Sequence, residues 1–119
     1  MLEVVKVDTY YGERHVLYGV SLKVPQGCIV AMLGRNGMGK TTIIRTIMGL
    51  TPLRNGEIRF NGEEISVLEP NQIARKGIAL VPQGRGIFPS LSVVENLTIA
   101  ARNCDKSGAW NLEGIYQFF

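Results

Sequence analysis

Apolar and polar positions along this chain fall into a few distinct patterns. Residues 2–7 set Leu2, Val4, Val5 and Val7 among Glu3 and Lys6, an apolar-rich, β-branched run that predicts a first strand. Tyr10, Tyr11, Gly12 and Glu13 interrupt it as a turn. Over 16–24, Val16, Tyr18, Val20, Leu22 and Val24 alternate with Leu17, Gly19, Ser21 and Lys23, a period of two that predicts a half-buried strand. Pro25, Gln26 and Gly27 then deliver the chain into 28–33, Cys-Ile-Val-Ala-Met-Leu. That continuous apolar run is the kind a buried parallel strand shows. Over 41–48 the spacing changes, placing Ile43, Ile44 and Ile47 on one helical face with Gly49 as a stop.

The next stretch is punctuated by turn chemistry. Thr51 and Pro52 close the helix, and Asn55-Gly56 predicts a turn into a strand over 57–60. Asn61-Gly62 is a strong hairpin signal, and 63–65 returns, so this pair is expected to be antiparallel. Residues 70–76 predict a short helix with Pro70 at its start and Gly77 past its end. Ile78, Ala79, Leu80 and Val81 predict a second buried strand ending at Pro82. Ser92-Val93-Val94-Glu95 is a capping box that opens a helix through about Arg102. Leu112, Ile115, Tyr116 and Phe119 have helical spacing within 110–119. No repeat, low-complexity tract or linker interrupts the chain.

Composition narrows the class. A length of 119 residues suffices for one small domain with a core. A hydrophobic share of 45% with 19% charged residues is that of a soluble globular protein, and no apolar stretch approaches the roughly 18 residues of a membrane span. Glu3, Lys6 and Asp8 near the start argue against a signal peptide. Two cysteines, Cys28 and Cys104, make no disulfide framework and fit a reducing, cytosolic compartment. A single histidine, His15, with no Cys/His cluster leaves no structural zinc site, and it reads as an ordinary surface residue. The net charge of +3 comes from scattered Lys and Arg, so nucleic-acid binding has little support.

The chemistry sits between the apolar run at 28–33 and the helix that follows. Residues 34–41 read GRNGMGKT and satisfy the phosphate-binding pattern G-x-x-x-x-G-K-[ST] at every constrained position. The glycines let backbone N–H groups curl around phosphates, Lys40 reaches the outer phosphates, and the Thr41 hydroxyl can ligate Mg²⁺.

Taken in order, the YYG turn, VSLKVPQG, GRNGMGKTT, NGEIRFNGEEI and LVPQGRGIFPSLSVVENL resemble the ATP-binding subunits of ABC transporters. Within that family the chain is most similar to the subunits of branched-chain amino acid and urea importers. The resemblance implies an α/β fold, a P-loop NTPase core (the ABC nucleotide-binding domain) with an antiparallel β subdomain. It implies that ATP and Mg²⁺ bind, with Tyr11 stacking on adenine and Asn36, Gly37, Met38, Gly39, Lys40, Thr41 and Thr42 cradling the phosphates. Gln83 is similar to the Q-loop glutamine, which contacts Mg²⁺ and the attacking water, so Thr41 and Gln83 are the metal contacts and Gln83 and Lys40 the catalytic candidates. The segment 85–89, with Arg85, Ile87, Phe88 and Pro89, is similar to the surface that receives the membrane permease. A second ATP-binding subunit is the other implied partner, and the implied location is cytoplasmic, on the inner face of the membrane.

The resemblance also implies what is missing. The chain holds no apolar strand ending in Asp-Glu, no LSGGQ-like signature and no switch histidine, so 1–119 reads as the N-terminal half of one domain. Its antiparallel β and P-loop core is expected over about 1–89, with the helical subdomain starting at about 90–119. Such a chain is expected to bind ATP without hydrolysing it. A non-catalytic nucleotide-binding or interaction fragment is the alternative. An unrelated P-loop NTPase is disfavoured by the hairpin and by Gln83.

Overall fold

The computed structural model describes residues 1–84, 86–99 and 111–118. The chain divides into two compact units, Met1–Leu80 and Val81–Phe119. In the first, strands β1 (Leu2–Tyr11), β2 (Arg14–Val24), β3 (Leu53–Phe60) and β4 (Glu63–Glu64) form an antiparallel sheet in the order β2-β1-β3-β4. Helix α1 (Lys40–Ile47) packs on β1 and β2, and a short α2 (Pro70–Arg75) follows β4. The core is aliphatic: Val4, Val7, Leu17 and Ile58 from the sheet meet Ile43 and Ile47 from α1, with Ile65 and Ile73 beyond. Thr9 and Thr46 are buried among them, and their hydroxyls pair at 3.2 Å while Thr46 also donates to the Thr42 carbonyl. Two polar side chains therefore enter the core with their hydrogen bonds made.

The expected hairpin forms at Asn61-Gly62. Phe60 pairs with Glu63 across a two-residue loop whose φ values are 50 and 84, the positive pair that a type I′ turn requires. Asn55-Gly56 behaves differently from the expected turn, because it lies inside β3. There β1 bulges at Lys6, itself at φ 46, and the register slips between Val5↔Glu57 and Asp8↔Asn55. Gly56 takes the position that the bulge approaches most closely. The simple alternation expected over 16–24 is broken in a related way. Register shifts between Val7↔Val20 and Thr9↔Leu17 put an extra residue in β2, with Gly19 at φ 56. The bulge reverses which face each side chain takes. Leu17 is consequently buried, while Tyr18 is 71% exposed.

Two predicted strands are absent from the ladders. Residues 28–33 run as irregular backbone, with Cys28, Ile29 and Leu33 exposed. Residues 78–81 also pair with nothing among the described residues, although Ile78 and Leu80 lean on the core. An apolar run becomes a parallel strand only when neighbouring strands accept its N–H and C=O groups, and no described strand lies alongside either segment. On α1, Ile43 and Ile47 are buried as expected. Ile44 is exposed, and Thr42 and Thr46 complete the buried face in its place.

The second unit contains α3 (Val93–Thr98) and α4 (Leu112–Phe118). The capping box is present: Ser92 N–H donates to Glu95 Oε2 at 2.8 Å, and Glu95 N–H donates back to Ser92 Oγ at 3.3 Å. The Ser92 hydroxyl also donates to Glu95 Oε2 at 2.7 Å, and that bond first and the Ser92 N–H second hold the Glu95 carboxyl below its ordinary range. Ser92→Ala is expected to weaken α3 by about 1 kcal/mol. Hydrogen exchange at the Asn96 and Ile99 amides, which close the helix onto Ser92 and Glu95, should then accelerate roughly fivefold. Unchanged exchange would show that the cap does not hold this helix. Arg85, Cys104, Trp110, Phe119 and the expected continuation of α3 to Arg102 lie outside the described residues.

Candidate functional site

The first turn of an α-helix carries N–H groups with no partner inside the helix, and α1 begins without any side-chain cap or acidic residue to satisfy them. The loop before it is shaped by two glycines in the left-handed region, Gly37 at φ 82 and Gly39 at φ 83. Turns of this kind aim successive N–H groups into one concavity and suit anions. The concavity is there: a cavity of about 140 Å³ lined by Asn36, Gly37, Gly39, Lys40, Thr41 and Thr42. A Cβ at Gly39 would lie 2.7 Å from Leu17 Cδ2, a side-chain tip that can shift, so it is the positive φ that calls for glycine there. Lys40 braces the loop, its Nζ donating to the carbonyls of Gly34 at 2.5 Å and Arg35 at 2.7 Å. Six of the seven residues expected to cradle phosphates thus line one cavity, and the seventh, Met38, borders its neighbour.

That neighbour is larger, about 490 Å³, and shares Gly37 with the first cavity. Its walls come from Met38 and from β2, including Val16, Leu17 and Tyr18. A volume of about 140 Å³ is below the usual range for a small organic ligand, whereas about 490 Å³ falls within it.

Tyr11 lies on the α1 side, with its hydroxyl 3.4 Å from Thr51 Oγ1. That bond, with Thr42 and Arg45 close by, holds the phenol below its ordinary range. Tyr10 and His15 do something the sequence did not reveal. Their rings stack with centroids 4.2 Å apart and 7° between planes, and His15 in turn lies 3.8 Å from the Tyr18 ring. His15 is half-buried and bonded through Nε2 to Asp8 Oδ1 at 2.9 Å. The Asp8 carboxyl is held below its usual range, first by the Gly19 N–H and then by His15. The only sequence signal for this column was aromatic residues at 10, 15 and 18, and the β2 bulge hides it because spacing alone puts them on unrelated faces.

In the second unit Gln83 is exposed. Ile87, Phe88 and Pro89 line an apolar cavity of about 280 Å³ with Leu91, Val93 and Leu97. Asn96 fixes this loop, accepting from the Phe88 N–H at 2.8 Å and donating to the carbonyls of Phe88, Leu91 and Ser92.

With this geometry in place, comparison with known proteins is decisive. Residues 5–117 match the ABC transporter family. The chain belongs to that family. It is 44% identical over 106 residues to the high-affinity branched-chain amino acid transport ATP-binding protein BraG of Pseudomonas aeruginosa, covering 89% of this chain and 46% of that protein. It is 41% identical to the probable branched-chain amino acid transport ATP-binding protein LivF of Archaeoglobus fulgidus, covering 89% and 45%. The chain therefore spans about half the length of the curated relatives it matches. Among solved structures it is similar to an ATP-binding subunit of an ABC transporter, with a TM-score of 0.74 and 35% identity over 85% of this chain and 41% of that one. An ABC ATP-binding cassette solved in its ADP conformation gives a TM-score of 0.62 at 32% identity, over 65% and 30%. The fold class is accordingly that of the ABC ATPases, a P-loop NTPase, represented by its antiparallel sheet, phosphate loop and first helices. Among the described residues no helix is long and apolar enough to cross a membrane.

Proposed function

We propose that this chain is the N-terminal half of the ATP-binding subunit of an ABC importer, which in its whole form couples ATP binding and hydrolysis to uptake of branched-chain amino acids or a similar small polar solute. The observation that carries this reading is the phosphate cavity: two left-handed glycines, an uncapped α1 N-terminus, Lys40 and Thr41 around one concavity. The similarity to BraG and LivF supports the choice of solute class.

In this reading the α1 N–H groups and the loop from Asn36 to Thr42 hold the phosphates, Lys40 contributes its charge, and Tyr11 borders the base. Among the described residues no cluster of three His, Cys, Asp or Glu side chains could hold a metal alone. Mg²⁺ is commonly held by few protein groups together with phosphate oxygens. Thr41 would hold it here, with Gln83 as the other expected contact, and when bound the ion would neutralise developing phosphate charge. The partners are a second ATP-binding subunit and a membrane permease received by Ile87, Phe88 and Pro89 with Arg85. The location is cytoplasmic, peripheral on the inner face of the membrane.

Phosphoryl transfer rests on positioning and charge around the γ-phosphate, and these 119 residues contain no Asp-Glu strand end, signature sequence or switch histidine. Isothermal calorimetry with Mg-ATP is expected to give saturable binding, with phosphate release at blank level. Absence of binding would refute the nucleotide reading. Release above blank that vanishes in Lys40→Ala would refute the claim that this chain does not turn over. The exposure of Ile29, Leu33 and Val81 favours a second reading, a non-catalytic nucleotide-binding or interaction fragment.

A further inference from the structure

The larger cavity beside the phosphate loop has an aromatic wall that no role yet accounts for. Tyr18 is 71% exposed, and its ring is held in place rather than loose. The Tyr18 hydroxyl donates to the His15 carbonyl at 3.2 Å, and the ring tilts 38° against the imidazole. His15 is fixed in turn by Asp8 Oδ1 and by stacking on Tyr10, and the Arg54 guanidinium lies 5.3 Å above the Tyr10 ring. Asp8 Oδ1 also accepts from the Gly19 N–H at 2.8 Å, which ties the column to the β2 bulge. Arg54, Tyr10, His15 and Tyr18 form a continuous stack whose Tyr18 and His15 end lines the cavity with Val16, Gly37 and Met38.

A rigid aromatic surface of this kind is costly to leave in water and ready for a planar partner, because little side-chain freedom remains to be lost on binding. Gly37 belongs to both cavities, so a ligand whose phosphates sit against α1 would extend its remaining group toward Tyr18. We propose that Tyr18, backed by His15, forms an aromatic wall for the nucleoside of the bound nucleotide. This rests on the ATP-binding reading above and adds to it a base contact from β2.

The test compares equilibrium binding of Mg-ATP and of inorganic tripolyphosphate, which has no base, to the 119-residue chain and to Tyr18→Ala, Tyr18→Phe and Tyr11→Ala. Stacking of a base on an aromatic side chain predicts that Tyr18→Ala weakens Mg-ATP binding by roughly 5- to 150-fold. Tripolyphosphate binding should be unchanged, and Tyr18→Phe should retain most of the ATP affinity. Three results would overturn the proposal. The first is Mg-ATP binding by Tyr18→Ala at the unaltered level, with or without a loss in Tyr11→Ala. The second is an equal loss of both ligands in Tyr18→Ala, which would place Tyr18 in the integrity of the loop. The third is Mg-ATP binding no tighter than tripolyphosphate in the unaltered chain, which removes the base contact while leaving the phosphate seat standing. If the unaltered chain binds neither ligand, the ATP reading fails and takes this inference with it.

Discussion

Replacing Gly56 by alanine is expected to unfold the first unit or to leave it barely stable. A Cβ at this position would lie 2.4 Å from the Lys6 carbonyl oxygen and 2.5 Å from that of Val5. Both neighbours are backbone in a paired strand, so neither can swing aside as a side-chain tip would. The φ of 92 adds the cost that an L-residue bears on the left-handed side, about 1–2 kcal/mol. Forcing additional volume into a packed site typically costs about 1–3 kcal/mol more. The sum is a large share of the roughly 5–15 kcal/mol that holds a domain of ordinary stability together. For so small a unit it corresponds to a fall in Tm of roughly 10 °C or more. Circular dichroism melts of the two proteins check this. A Tm within about 2 °C of the unaltered chain would show that the Lys6 bulge can move away, and that the close approach is not needed by the sheet. Gly12→Ala is the control, because nothing lies within 4 Å of a Cβ there and only the positive φ of 59 is strained.

Lys40→Ala is expected to reduce Mg-ATP affinity by at least roughly 100-fold, the effect of losing two or more charge-assisted hydrogen bonds at about 1.5–3 kcal/mol each. Two losses combine. The ammonium that would meet the outer phosphates is gone, and so are its bonds to the carbonyls of Gly34 and Arg35, which close the loop on itself. Lys40→Arg separates them, since a guanidinium keeps the charge but replaces a compact ammonium by a planar fork. Partial recovery by arginine would mean that charge dominates, and none would mean that the compact contact with Gly34 and Arg35 matters as much. Titration calorimetry reads both variants. An unchanged Kd in Lys40→Ala would exclude the loop as the phosphate seat, whatever its shape.

How much of this was legible beforehand depended on whether the signal was local. The phosphate loop was: the spacing of Gly34, Gly39, Lys40 and Thr41 is itself the chemical requirement, and the left-handed Gly37 and Gly39 are what such a loop needs. The Asn61-Gly62 turn was legible because both residues tolerate positive φ, and the Ser92 cap because its partner Glu95 lies within one turn. Asn55-Gly56 shows the limit. The same dipeptide type sits inside β3, since what selected the glycine was the approach of Lys6, fifty residues earlier by the numbering. Tyr18 shows it again, because the β2 bulge exchanged the faces of Leu17 and Tyr18 and so moved an aromatic ring from the expected core side to the cavity wall.

The sequence by itself determined the loop motif at 34–41, the hairpin, the Ser92 cap and the family, all properties in which neighbouring residues supply their own reason. The tertiary structure alone decided the sheet register, the burial of Leu17 and Thr46, and the aromatic column from Tyr10 to Tyr18. It also decided that residues 28–33 and 78–81, apolar enough for strands, stay out of the sheet. Hydrophobic pattern states what a segment can bury. Whether it becomes a strand depends on another backbone being there to complete its hydrogen bonds.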